Sequence, residues 1–141
     1  MTKFIINTDG GARGNPGPAA VGIVINKFLE NNTTEIIKIG KYIGATTNNI
    51  AEYTALIEAL KAAREQKGTN LECLLDSELV VKQLNGQYKV KDVNLNKLWH
   101  EIKTLEKLFQ KVSYTHIPRE QNKQADKIVN EVLDSIELKN G

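Results

Sequence analysis

Cysteine, tryptophan and proline are scarce in this 141-residue chain, which holds one, one and three of them respectively. A single cysteine, Cys73, excludes an intramolecular disulfide and a cysteine cage for zinc. Within LECLLD it reads as a buried, inert thiol. No apolar run approaches the ~18 residues of a membrane-spanning helix. The opening MTKFIINTD enters a strand pattern at once and lacks the pattern of a secretory signal. These absences lead us to expect a cytoplasmic protein with no membrane partner. Large net charge is lacking as well: the formal value is +2.

What is present suits an ordinary globular protein, 40% apolar and 26% charged. The length fits one domain, residues 1–141, with a core of its own. The charge is unevenly spread. Residues 82–127 hold ten Lys or Arg against five Asp or Glu, whereas residues 1–81 hold eight against nine. A basic segment of that kind either faces phosphate or forms a solvated helix face.

The glycines and prolines are concentrated: four of ten glycines and two of three prolines fall within residues 10–18. An apolar strand over 3–9 precedes them, with Ile5, Asn7 and Asp9 on one face. Residues 19–28 and 35–44 read as two further strands, joined by the polar turn ENNTTE, and short connections favour antiparallel hairpins. A helix follows over 46–68, capped by Thr47 or Asn48 and ended by Gly68. NLECLLD is a strand ending in Asp76, and SELVVKQLNG starts a short helix. After the connector 86–94, Leu95, Leu98, Trp99, Ile102, Leu105 and Phe109 mark one face of a helix ending near Lys111. VSYTHI is a strand stopped by Pro118, and REQNKQADKIVNEVLDSIEL supplies the last helix. The order β-β-β-α-β-α-α-β-α predicts an α/β mixed sheet with helices on both faces.

Four acids stand at element ends on that plan: Asp9 and Asp76 close strands, while Glu52 and Asp126 open helices. A loop-rich sheet edge is the usual location of a site on an α/β scaffold. Convergent carboxylates repel one another, and burying them unpaired is costly. Hard divalent cations relieve that repulsion, and an oxygen-only ligand set suits Mg²⁺ or Mn²⁺. Taken singly, the same acids serve as turn or helix caps. A P-loop is excluded, because GGARGNPGP lacks the GK[ST] ending and its prolines offer no N–H donors.

Four blocks, TDGGARGNPGPAAVG (8–22), TTNNIAEYTALIEAL (46–60), LDSELVVKQL (75–84) and HIPREQNKQAD (116–126), resemble ribonuclease H type 1 in order and spacing. The resemblance covers nearly the whole chain. It implies the ribonuclease H-like fold, a five-stranded mixed sheet whose first three strands are antiparallel. It further implies hydrolysis of the RNA strand of RNA–DNA hybrids with two Mg²⁺ or Mn²⁺ ions, leaving 5′-phosphate and 3′-hydroxyl ends. By position, Asp9, Glu52, Asp76 and Asp126 match the metal-binding carboxylates, and His116 matches the proton-transfer histidine. Gly10, Gly11, Arg13 and Asn15 fall in the turn that would read the RNA strand, where the 2′-OH distinguishes RNA from DNA. Thr47, Asn48, Asn49, Ser77 and Asn122 match further substrate-contacting positions, although Asn48, Ser77 and Asn122 also fit as helix caps.

The chain departs from the family pattern in two places. No dense basic, tryptophan-rich insert lies between Asp76 and the last strand, which places the chain nearer the compact branch lacking that protrusion. Trp99 fits core packing rather than base stacking. Position 78 is Glu where Gln is often found, which alters one polar contact. Rival readings are a non-catalytic module binding hybrid or double-stranded RNA, and a junction resolvase or 3′–5′ exonuclease of the same superfold. The expected partner is an RNA–DNA hybrid, with double-stranded RNA a second candidate, and the default state is a monomer.

Overall fold

The computed structural model describes residues 1–140. Five strands and four helices follow in the order β1 (Lys3–Ala12), β2 (Gly17–Leu29), β3 (Asn32–Thr46), α1 (Asn48–Glu65), β4 (Asn70–Leu75), α2 (Glu78–Leu84), α3 (Val93–Glu106), β5 (Lys111–His116) and α4 (Lys123–Asn140). The sheet order is β3-β2-β1-β4-β5. The β1–β2 and β2–β3 pairs are antiparallel, and the β1–β4 and β4–β5 pairs are parallel. Element order and mixed sheet agree with the sequence reading.

Alternation in β1 buries Phe4, Ile6 and Thr8 on one face and leaves Ile5, Asn7 and Asp9 half-buried on the other. The larger core joins Phe4, Ile6, Ile23 and Ile25 to Tyr53, Leu56 and Leu60 of α1. A smaller cluster joins Ala20 to Val129 and Leu133 of α4. Residues Ala19–Ile25 of β2 are therefore buried without interruption, because helices cover both sides of that strand. α1 contacts both β1 and α3. Its alanines at 51, 55, 59, 62 and 63 are all buried, and small side chains let the helix approach closely on two sides.

Several boundaries differ from the sequence reading. β1 runs on through Gly10, Gly11 and Ala12, which pair with Val21, Ala20 and Ala19. Asp9 is thus inside a strand, but β4 ends its pairing at Asn7↔Leu74, so Asp9 lies past the end of its neighbour. The polar turn narrows to Glu30 and Asn31, both with positive φ (51° and 67°), the backbone of a two-residue hairpin. α3 ends at Glu106 rather than near Lys111. The chain turns there, and Gln110 N–H donates to Thr69 O at 2.9 Å to start β5. α4 begins at Lys123, preceded by a 3-10 turn over Arg119–Gln121, because Pro118 sets an extended entry.

Trp99 packs against the core and donates its indole N–H to Gln83 O at 3.2 Å. Cys73 is fully buried, and burial pushes its thiol far above the ordinary range. Both findings agree with the sequence reading. No helix among the described residues is long and apolar enough to cross a membrane.

Candidate active site

Two glycines let the site close. At Gly10 a Cβ would overlap the carbonyl of Ala51, so only glycine lets β1 touch the first turns of α1. The contact is used: Gly10 N–H donates to Glu52 Oε1 at 2.6 Å. At Gly22, the partner of Asp9 across the ladder, a Cβ would overlap the carbonyl of Ala125. That approach brings Asp126, the next residue of α4, towards the same strand.

Asp76 leaves the end of β4, and ligand oxygens of Asp9, Glu52 and Asp76 all lie within 4.8 Å of one another. Asp126 stands outside that trio but lines the same cleft, and its charge helps raise the pKa of Asp9. Burial first, then the charge of Asp76, pushes Asp9 from 3.8 to about 7. Glu52, buried on α1, is pushed well up by desolvation and then by Asp9. Arg119 offers partial compensation, 3.6 Å from Asp126 on a side chain that is 77% exposed. An oxygen-only, half-buried and under-neutralised trio is the donor set that a hard divalent cation fits.

Asn122 turns out to be a brace rather than a surface contact. It is 1% exposed, and its side-chain amide donates to Thr8 O at 2.9 Å and to Asp76 Oδ2 at 3.2 Å. Its side-chain oxygen accepts from Asn7 Nδ2 at 3.0 Å. Both ends of the amide are thus engaged inside the protein, beneath the acids. Asn122 also precedes α4 instead of lying in its first turn, and Asp126 N–H donates to its carbonyl at 3.1 Å.

The turn after β1 is tied to the start of α1. Asn48 Oδ1 accepts from Ala12 N–H at 2.8 Å, and Asn48 N–H donates to Asn15 Oδ1 at 3.1 Å. Thr47, not Asn48, caps α1, accepting from Ile50 N–H at 3.3 Å. Ser77 caps α2 in the same way through Val80 N–H at 3.3 Å. Gly10, Gly11, Arg13, Asn48, Asn49 and Ser77 line the cleft of about 470 Å³ with the four acids. Arg13 lines it with its guanidinium engaged by α4, through Asp134 and Glu137 at 2.7 Å each.

His116 ends β5 in register with Leu75, exposed and outside the residues that wall the cleft. Arg119, Val129, Asn130 and Leu133 line the cleft and were absent from the sequence reading of the site. For the three on α4 a signal existed. Positions 126, 129, 130 and 133 follow the i, i+3, i+4, i+7 spacing of one helix face, so Asp126 carries its neighbours with it.

Three strands in antiparallel order, two parallel ones and acids gathered past the end of β4 define a nuclease-like α/β domain. The Reverse transcriptase-like family model matches residues 7–132. A bifunctional protein of Mycobacterium tuberculosis, Rv2228c, is 39% identical over 133 residues, covering 94% of this chain and 36% of that protein. A crystal structure of RNase H1 from Halobacterium salinarum superposes with TM-score 0.89 at 41% identity, over 94% of this chain and 98% of that one. LC11-RNase H1 in complex with an RNA/DNA hybrid does so with TM-score 0.87 at 42% identity, over 94% and 98%. The chain belongs to the ribonuclease H type 1 family. It spans about a third of the length of the mycobacterial relatives, so what those whole proteins do is a separate matter.

Proposed function

We propose that the protein is an endoribonuclease that hydrolyses the RNA strand of RNA–DNA hybrids, acting as a monomer. The observation that carries this reading is the trio Asp9, Glu52 and Asp76, gathered within 4.8 Å beside a glycine-rich turn. A binding module gains nothing from assembling acids that repel the phosphates it must hold. Kinship with an RNase H1 whose structure contains an RNA/DNA hybrid supports the choice of substrate.

In this reading Asp9, Glu52, Asp76 and Asp126 hold two Mg²⁺ or Mn²⁺ ions. When bound, such a pair activates a water and neutralises charge at the scissile phosphate. The protein's own part is orientation. Gly10 N–H fixes the Glu52 carboxylate at 2.6 Å, and Asn122 fixes Asp76 at 3.2 Å. Asn48 and Asn15 hold the turn so that its backbone and the Asn15 amide face the RNA strand, where a 2′-OH can donate and accept. His116, exposed at the end of β5, gives a proton to the leaving 3′-oxygen. The products are 5′-phosphate and 3′-hydroxyl ends.

The test compares labelled RNA–DNA hybrid, duplex RNA, duplex DNA and junction DNA, each with Mg²⁺, with Mn²⁺ and with a chelator. Metal-dependent cuts within the RNA of the hybrid are expected. Binding of hybrid without metal-dependent cleavage selects the non-catalytic module, and cleavage of junction DNA selects a resolvase. Activity should also fall with added salt, because phosphate contacts made by a moderate basic excess are salt-dependent. Unchanged cleavage across a broad salt titration would defeat that part.

A further inference from the structure

Arg13 is placed where a phosphate ligand would be expected, yet its bonding is spent elsewhere. One guanidinium nitrogen lies 2.7 Å from Asp134 and the other 2.7 Å from Glu137. The same group donates to Asn130 Oδ1 at 3.2 Å and to the Asn130 carbonyl at 3.4 Å. Positions 130, 134 and 137 follow one face of α4, spaced by four and three residues. One cation against two acids leaves the cluster with a net charge of −1. A polyanion would be repelled there, so this arrangement does not serve phosphate binding.

The cluster instead completes a span. On one side, Asn48 grips Ala12 N–H and the Asn15 side chain from the start of α1. On the other, Arg13 is gripped by the second half of α4, the helix that carries Asp126 in its first turn. Residues 12–15 thus hang between the two helices that supply Glu52 and Asp126. We infer that Arg13 is a positioning residue: with Asp134 and Glu137 it latches the recognition turn to α4 and sets its register against the carboxylates. The inference rests on the hybrid-nuclease reading. It removes Arg13 from the expected substrate contacts and makes two acids far from the chemistry relevant to substrate affinity.

The test uses the full chain with Mg²⁺ and a labelled hybrid, comparing R13Q, D134N/E137Q and the combined triple variant. Each of the first two should raise KM about three- to tenfold with kcat little changed, the scale expected for losing two half-exposed ion pairs. The triple variant should be no worse than either, because all three break one contact set. The slope of log KM against log salt should be the same in R13Q as in the parent chain. Backbone amide exchange in the peptide spanning residues 11–17 should quicken in R13Q without metal or substrate, and the charge-reversed pair R13E/E137R should slow it again relative to R13E. A phosphate ligand would behave otherwise: R13Q would reduce the salt slope by about 0.9, and D134N/E137Q would lower KM. Either result overturns the latch, as does unaltered exchange in R13Q. A parent chain that leaves the hybrid intact defeats the nuclease reading alone, because the exchange comparison still stands.

Discussion

Two groups of charged side chains lie partly sheltered in this molecule, and they are treated in opposite ways. At the far side of the core, Glu106 accepts from Tyr114 Oη at 2.6 Å and from Lys103 Nζ at 3.1 Å. Lys103 also donates to Leu84 O at 2.7 Å and lies 5.4 Å from the Trp99 ring centre. Acid, cation and hydroxyl answer one another there, and α3 is fastened to α2 and β5. At the cleft, Asp9, Glu52 and Asp76 face mainly one another, and burial and mutual repulsion push Asp9 and Glu52 up. The first group is balanced within the protein; the second is left short of positive charge. Shelter alone therefore does not mark a site. What marks it is shelter without compensation.

The sharpest way to break the contrast is Asp9→Asn. Hybrid cleavage with Mg²⁺ should fall about a thousandfold or more, because the residue central to the trio loses its charge. In chelator at pH 8 the same variant should be more stable than the parent chain by about 2–4 kcal/mol, read from urea melts. A variant both inactive and less stable would mean that Asp9 is structural.

The pH dependence follows from the same acids. Asp9 is raised from 3.8 to about 7, so between those values the folded chain holds a proton that the unfolded chain has released. The folded state binds more protons, and stability must fall as pH rises across that window. Metal-free protein should therefore lose stability from about pH 4 to about pH 7, with Glu52 adding in the same direction. Mg²⁺ at pH 8 should restore it, by about 2.7 kcal/mol at a hundred times its Kd. A flat metal-free profile would remove the physical basis for reading the trio as a cation site.

At the balanced group the expected effects are smaller and of the other kind. Glu106→Gln keeps the shape but removes the charge facing Lys103, and should cost about 1–3 kcal/mol of stability. Cleavage per folded molecule should stay near that of the parent chain. If kcat fell while stability held, the two regions would be coupled and the comparison would fail.

How much of this could be read from the chain alone differs between the two regions. The acids were legible because each falls next to a boundary in hydrophobic periodicity, and periodicity is a local property. Asn122 was legible as a polar residue at the start of the last helix, but not as a brace. Its partners Asn7, Thr8 and Asp76 are 46 to 115 positions away, and nothing local encodes their meeting. The extent of β1 was misjudged for a related reason. Glycines at 10 and 11 look like a break, yet pairing with Val21 and Ala20 carries the strand through them. Tertiary contact overrode local preference there. The cluster of Lys103, Glu106 and Tyr114 was invisible, since its members sit on two elements and each alone looks like a surface residue.

The smallest effect separates two roles that the sequence assigned to one residue. Ser77 Oγ accepts from Val80 N–H at 3.3 Å as the cap of α2, and the residue also lines the cleft beside Asp76. Ser77→Ala removes the hydroxyl but leaves the backbone free to keep its path. If capping is its whole role, stability should drop by about 1 kcal/mol and KM should hold, because only an orphaned N–H at the start of α2 is exposed. Ser77→Asp retains a capping oxygen and should recover most of that stability, while adding a fifth carboxylate to the four acids of the cleft. Recovered stability with raised KM would then assign the hydroxyl to the cap and the position to the substrate-facing wall. A rise in KM already in Ser77→Ala, at unchanged stability, would show that the hydroxyl itself meets the nucleic acid and that the uncompensated region extends one residue beyond Asp76.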